Sequence, residues 1–204
     1  MINYIVFDFD GTLADTFDAI KTIATTEYGE YDIDIELFRN EGAKGMLKKL
    51  NIPRWKLPGM IHNVTSKLRK NKDVKLFPGI IDLLNTLKKD YKIGILSSNS
   101  KDIINDKLKE YNIEDLFEFV YSESLLFGKH IVLERMCNKH NIYPLDVVYV
   151  GDEDRDIVAA KKAEIKTIAV TWGFNSKEKL SREKPDYLVD SPIKIIEALQ
   201  KMRQ

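Results

Sequence analysis

Asp8 and Asp10 flank Phe9 in the run Asp8-Phe9-Asp10-Gly11-Thr12, directly after an apolar stretch. Alternate side chains of an extended strand leave on the same side, so the two carboxylates share a face while Phe9 points away. Carboxylates that close raise one another's pKa, and a divalent cation resolves the conflict. An all-oxygen ligand set favours a hard ion, magnesium above all. Gly11 allows an unusual backbone angle where the chain leaves the strand. Two solvated acids in a turn are the ordinary alternative, because turns favour these residue types.

Three further groups carry chemistry. Ser97-Ser98-Asn99-Ser100 offers small donors to a phosphate oxygen, and a helix starting near Lys101 adds free N–H groups and a positive dipole end. Gly151-Asp152-Glu153-Asp154-Arg155-Asp156 sets four acids in five positions beside a single arginine, a costly arrangement unless water or a cation neutralises it. Lys129 follows Gly128 and is the sole lysine between Lys109 and Lys139; a compact ammonium suits phosphate. Taken singly, these are also ordinary helix caps and an exposed lysine. As a set they supply carboxylates for a metal, small donors and a cation.

What must position them is legible in the hydrophobic pattern. Apolar runs at 2–7, 91–96, 147–150 and 167–170 lack polar alternation, as strands covered on both faces do. A short final strand is expected at 187–189. Helical spacings lie between the runs: Ile80, Ile81, Leu83, Leu84 and Leu87; Ile103, Ile104 and Leu108 after Ser100; Ile131, Val132 and Met136; Ile157, Val158 and Ala160; Ile193, Ile195, Ile196 and Leu199. The alternation predicts a doubly wound, mostly parallel α/β sheet. Residues 15–75 break it with helix-spaced apolar residues punctuated by Pro53, Pro58 and Gly59. The expected organisation is therefore a core of 1–14 and 76–204 with a small all-helical domain inserted at 15–75. Each chemical group follows a predicted strand or opens a helix, at the edge where open α/β sheets bind ligands.

Composition removes several classes. The 204 residues carry 32 Lys+Arg and 32 Asp+Glu, so net charge gives no reason to expect a nucleic-acid or acidic-membrane partner. Cys137 is the sole cysteine, which precludes an intrachain disulfide, and with three histidines it makes a structural zinc site a poor fit. There is no G-x-x-x-x-G-K-[ST] and no G-x-G-x-x-G. The N-terminus lacks a basic start and a long apolar stretch, no run approaches membrane-span length, and a cytoplasmic setting is expected.

Asp8-Phe9-Asp10-Gly11-Thr12-Leu13, Ser97, Lys129 and Gly151-Asp152-x-x-x-Asp156 resemble, in order and spacing, the four motifs of the haloacid dehalogenase-like hydrolase superfamily. The insert resembles the cap of phosphoglycolate phosphatase-like members. The resemblance implies Asp8 as nucleophile and Asp10 as general acid/base. It implies Ser97, Ser98, Asn99 and Lys129 around the phosphoryl group, with Gly11 and Thr12 supporting the phosphate loop. Magnesium is implied on Asp8, Asp152 and the main-chain oxygen of Asp10, with Asp156 holding its water shell or orienting Lys129. Asp10 argues for phosphate esters, because dehalogenases of the superfamily lack it.

This chain departs from the pattern in three places. Lys129-His130 stands where Lys-Pro is common, Glu164 stands where a glycine is usual, and Ser98 could replace Ser97 in a shifted register. Candidates for cap specificity are Arg39, Lys44, Lys48 and Arg54, with a solvated basic face as the ordinary alternative; Trp55, Leu57 and Met60 are expected to pack cap against core, with substrate contact as the alternative. Trp172-Gly173-Phe174-Asn175 borders the site and is read as structural first. The implied activity is magnesium-dependent hydrolysis of a small phosphorylated metabolite, with 2-phosphoglycolate as candidate, by a monomer or homodimer. The alternatives are a β-phosphoglucomutase-like mutase and a non-catalytic binding protein on the same fold.

Overall fold

The computed structural model describes residues 2–29, 36, 37, 39–41, 49, 53, 55–70, 74–123 and 128–203. Among the described residues there are six strands: β1 Tyr4–Phe7, β2 Lys92–Ser97, β3 Phe117–Ser122, β4 Val147–Gly151, β5 Lys166–Val170 and β6 Tyr187–Val189. They form one sheet in the order β3-β2-β1-β4-β5-β6, and every pairing is parallel. The expected mostly parallel sheet is thus wholly parallel.

The helices are α1 Thr16–Tyr28, α2 Leu57–Lys70, α3 Ile80–Leu87, α4 Lys101–Glu110, α5 Lys129–His140, α6 Asp154–Lys162, α7 Lys177–Arg182 and α8 Pro192–Met202. Their periodicity explains their placement. In α3 the buried residues are Ile80, Leu83, Leu84 and Leu87, an i, i+3, i+4, i+7 stripe. Successive residues of β1 face opposite sides: Ile5 and Phe7 pack with α3, α4 and α8, while Val6 packs with α5 and α6. Both sheet faces are therefore covered, which is why the strands read as continuous apolar runs.

β3 was not expected. Glu118 interrupts its apolar run and the strand lies at the sheet edge, where one flank has no partner strand among the described residues. The six-residue α7 was also not expected; Ser176 starts it, its hydroxyl oxygen accepting from the Lys179 amide at 3.3 Å.

Between 15 and 75, the described residues before the returning crossover are helical or irregular, with helical backbone also at 36, 37 and 39–41. Chain entry and exit run side by side. The Asp15 amide donates to Lys75 O at 2.7 Å, the Phe77 amide donates to Leu13 O at 3.0 Å, and Ala14 bridges Leu76 in antiparallel sense. Trp55 does not pack as expected: it is 77% exposed, with the Lys56 ammonium over its ring. No helix among the described residues is long and apolar enough to cross a membrane.

Candidate active site

The strand order reverses between β1 and β4, and open α/β sheets bind ligands at such a switch point, beyond the strands' carboxyl ends. Asp8 leaves β1 there, its amide donating to Val150 O at 2.9 Å. Asp152 leaves β4 beside it. Phe7 is in register with Val150 and with Ile95 of β2, so Asp8, Asp152 and Ser97 emerge at one edge.

Asp8, Lys129, Asp152 and Asp156 are all buried. The Phe9 amide donates to Asp8 Oδ1 at 2.8 Å, and Lys129 Nζ donates to Asp8 Oδ2 at 2.7 Å and to Asp156 Oδ1. The ammonium also lies 5.1 Å from the centroid of the Tyr149 ring. Burial pulls the Lys129 pKa down, but Asp156 and Asp8 hold it well above the ordinary lysine value, so it stays charged. Asp156 opens α6 in a capping box with Glu153, whose amide donates to Asp156 Oδ2 at 3.1 Å. Of the two roles implied for Asp156, orienting Lys129 is the one with a direct contact.

Asp152 is held differently. Its oxygens accept from neutral donors, Thr12 Oγ1 at 2.7 Å and the Phe174 amide at 2.7 Å. Burial, followed by the charges of Asp156 and Asp8, raises its pKa well above the ordinary carboxylate value. One oxygen from each of Asp8, Asp152 and Asp156 lies within 4.8 Å of the others. Three buried carboxylates around a single ammonium leave negative charge uncompensated, and a divalent cation with oxygen ligands fits that deficit.

Asp10 is partly buried, with Asn99 Nδ2 donating to its Oδ1 at 3.4 Å. Burial and the neighbouring Asp8 charge push its pKa up to about 7, which suits a group that must give and take a proton. Ser97 is buried at the end of β2 and its hydroxyl oxygen accepts from the Asn99 amide at 3.1 Å, whereas Ser98 is exposed. Gly11 and Thr12, expected in a phosphate loop, have their amides engaged by Ala14 O at 2.9 Å and Phe9 O at 3.4 Å. Their visible roles face Asp152: Thr12 bonds it, and Gly11, at φ +77°, leaves it room, since a Cβ there would overlap its Oδ2.

The loop after β5 contributes more than the sequence suggested. Besides Phe174, the Asn175 amide donates to Asp152 O at 3.3 Å, and Asn175 Oδ1 accepts from the Asp154 amide at 2.8 Å. Trp172 Nε1 donates to Thr12 O at 3.1 Å. A Cβ on Gly173 would overlap both Asp152 Oδ2 and Gly11 O. The run Trp172-Gly173-Phe174-Asn175 was the available signal, though its amide contacts leave no side-chain signature.

Arg39 Nη2 donates to Thr171 O at 2.7 Å, and its Nε is buried without a hydrogen-bond partner among the described residues. Lys44, Lys48 and Arg54 lie outside the described residues. His130 is half-buried beside Lys129. Glu164 adopts φ +58°, which explains why a glycine is at home there.

Comparison with known proteins agrees with this geometry. The family model described as haloacid dehalogenase-like hydrolase matches residues 5–170. A phosphoglycolate phosphatase of Synechococcus elongatus is 32% identical, across 98% of this chain and 99% of its own. A putative pyrophosphatase of Clostridium perfringens is 27% identical, across 99% of each chain. Among solved structures, a haloacid dehalogenase-like family hydrolase from Streptococcus pneumoniae superposes with a TM-score of 0.83 at 25% identity, covering 97% of this chain and 98% of that one.

Proposed function

We propose that this chain, which belongs to the haloacid dehalogenase-like hydrolase family, is a magnesium-dependent phosphatase acting on a small phosphorylated metabolite. The observation that carries the reading is the Asp8–Lys129–Asp156 chain of contacts beside Asp152 at the sheet's switch point. Two relatives described above support a small phosphorylated substrate, one named a phosphoglycolate phosphatase and one a putative pyrophosphatase.

Asp8 attacks the phosphorus, forming an aspartyl-phosphate as the bond to the leaving oxygen breaks. Asp10 gives that oxygen a proton. Water then attacks the phosphorus while Asp10 takes its proton, and the P–O bond to Asp8 breaks to release phosphate. An Asp10 pKa raised to about 7 by burial and the Asp8 charge fits both duties. Two displacements replace one difficult step. Lys129 offsets charge on Asp8 and on the phosphoryl oxygens. The Ser97 hydroxyl proton is a donor for the phosphoryl group, with Ser98 and Asn99 beside it. Asp8 and Asp152 would hold the magnesium with the Asp10 main-chain oxygen, and Asp156 aligns Lys129. Magnesium would supply charge neutralisation for phosphoryl transfer.

Residues 15–75 act in this reading as a cap over the core of 1–14 and 76–204. Lys44 and Lys48 are proposed to read the non-reacting end of the substrate. Arg39, whose buried Nε has no hydrogen-bond partner among the described residues, is proposed to join them. The setting proposed is cytoplasmic.

Phosphate release from an aryl phosphate with magnesium tests the mechanism: the expected result is turnover abolished by chelator and by Asp8→Asn. Turnover retained by Asp8→Asn would remove Asp8 as nucleophile. A panel of phosphoglycolate, pyrophosphate, sugar phosphates and nucleotides identifies the substrate, and an isomerised sugar phosphate without phosphate release would mark a mutase instead.

A further inference from the structure

We infer that Arg39 is a positioning residue for Asp152, acting through the 171–176 loop. The two ends of that loop both bond to Arg39. Its Nη2 donates to Thr171 O at 2.7 Å, and the Ser176 amide donates to Arg39 O at 3.1 Å. The middle of the same loop grips Asp152, through the Phe174 amide on Oδ2 at 2.7 Å and the Asn175 amide on the main-chain oxygen at 3.3 Å. An aromatic contact runs parallel to the bonds. Arg39 Cζ lies 5.8 Å from the centroid of Phe17, and Phe17 meets Phe174 edge-on at 5.4 Å.

The loop is neither helix nor strand between Thr171 and Asn175, so no internal ladder holds its amides in place. Its shape follows from its ends and its few side-chain contacts. A residue of the inserted segment therefore brackets the loop whose amide orients a buried carboxylate of the core. Partners one step beyond a metal ligand tune metal affinity by fixing ligand orientation. Arg39 thereby ties the seating of the insert to the affinity of the metal site.

The inference rests on Asp152 being a metal ligand, and the test separates the two ideas. Magnesium alone is titrated into the 204-residue chain by calorimetry, without substrate. Arg39→Ala and Arg39→Met, the latter keeping the aliphatic stem, are each expected to weaken magnesium binding by about 3–10-fold. Arg39→Lys, which restores a donor, is expected to recover most of that loss. Magnesium affinity within twofold of the parent in either folded variant overturns the inference and leaves the phosphatase reading intact, because Arg39 then acts on substrate alone. A parent chain that takes up no magnesium overturns both.

Discussion

Thr12 and Asp152 stand 140 positions apart in the chain, yet the hydroxyl of one donates to the carboxylate of the other at 2.7 Å in buried surroundings. The contact joins the turn after β1 to the end of β4, across the point where the strand order reverses. Thr12→Val keeps the shape and removes the donor, leaving Asp152 Oδ1 short of a partner. A buried acceptor left unsatisfied costs roughly 1–3 kcal/mol, more when charged. The expected result is a lower melting temperature in the metal-free protein, with magnesium recovering more of the loss than it adds to the parent. Equal stability of Thr12→Val and parent in chemical denaturation would show that the bond contributes nothing.

Stability should depend on pH and on magnesium together. The Asp10 pKa rises from 3.8 to about 7 on folding, through burial and the Asp8 charge, and Asp152 and Asp8 are raised as well. A raised carboxyl binds its proton more tightly in the folded state, so its contribution to stability is full at low pH. That contribution is lost as pH rises from 3.8 to about 7. Magnesium bound as proposed would offset the same repulsion and would require the ionised carboxylates. The upward shift in melting temperature produced by magnesium is therefore expected to be larger at about pH 8 than at about pH 5.5. Thermal melts with and without the ion at the two pH values check it; a shift of equal size at both would contradict the linkage.

Glu164 is the αL residue of a Schellman turn: the Ile165 amide donates to Ala160 O at 2.9 Å and the Glu164 amide to Lys161 O at 3.2 Å. A non-glycine residue pays a steric cost at φ +58° that glycine does not, partly offset by glycine's greater freedom when unfolded. Glu164→Gly should stabilise the protein by about 0.5–1 kcal/mol without altering turnover. Denaturant titration decides it, and a destabilised variant would show that Glu164 has a contact outweighing its backbone strain.

The sheet centre and the acidic site were legible because each had a side-chain signature. Strands covered on both faces cannot alternate, so the runs ending at Phe7, Leu96, Val150 and Val170 stood out. The side chains of Asp8, Lys129, Asp152 and Asp156 meet in space. Edge strand β3 lacks that signature because Glu118 faces solvent there. The support that Phe174 gives Asp152 comes from a backbone amide, which any residue but proline could provide, so side-chain identity did not advertise it.

Gly173 is the sharpest test of that support. It lies in the loop after β5 so close to the site that a Cβ would overlap both Asp152 Oδ2 and Gly11 O. Neither neighbour can yield cheaply. Asp152 is held by Thr12 Oγ1 and by the Phe174 amide, while Gly11 is tied by its amide to Ala14 O at 2.9 Å. The added methyl must therefore push the loop outward, drawing the Phe174 amide off Asp152, or displace the carboxylate itself. Either movement alters the site at Asp152, the proposed metal ligand, rather than at Asp8, the proposed nucleophile. Gly173→Ala is expected to remain folded, to bind magnesium at least 10-fold more weakly, and to lose phosphatase turnover that added magnesium partly restores. Parallel magnesium titrations of turnover and of binding measure both effects. Parent-like affinity in Gly173→Ala would show that the loop can give way without disturbing Asp152.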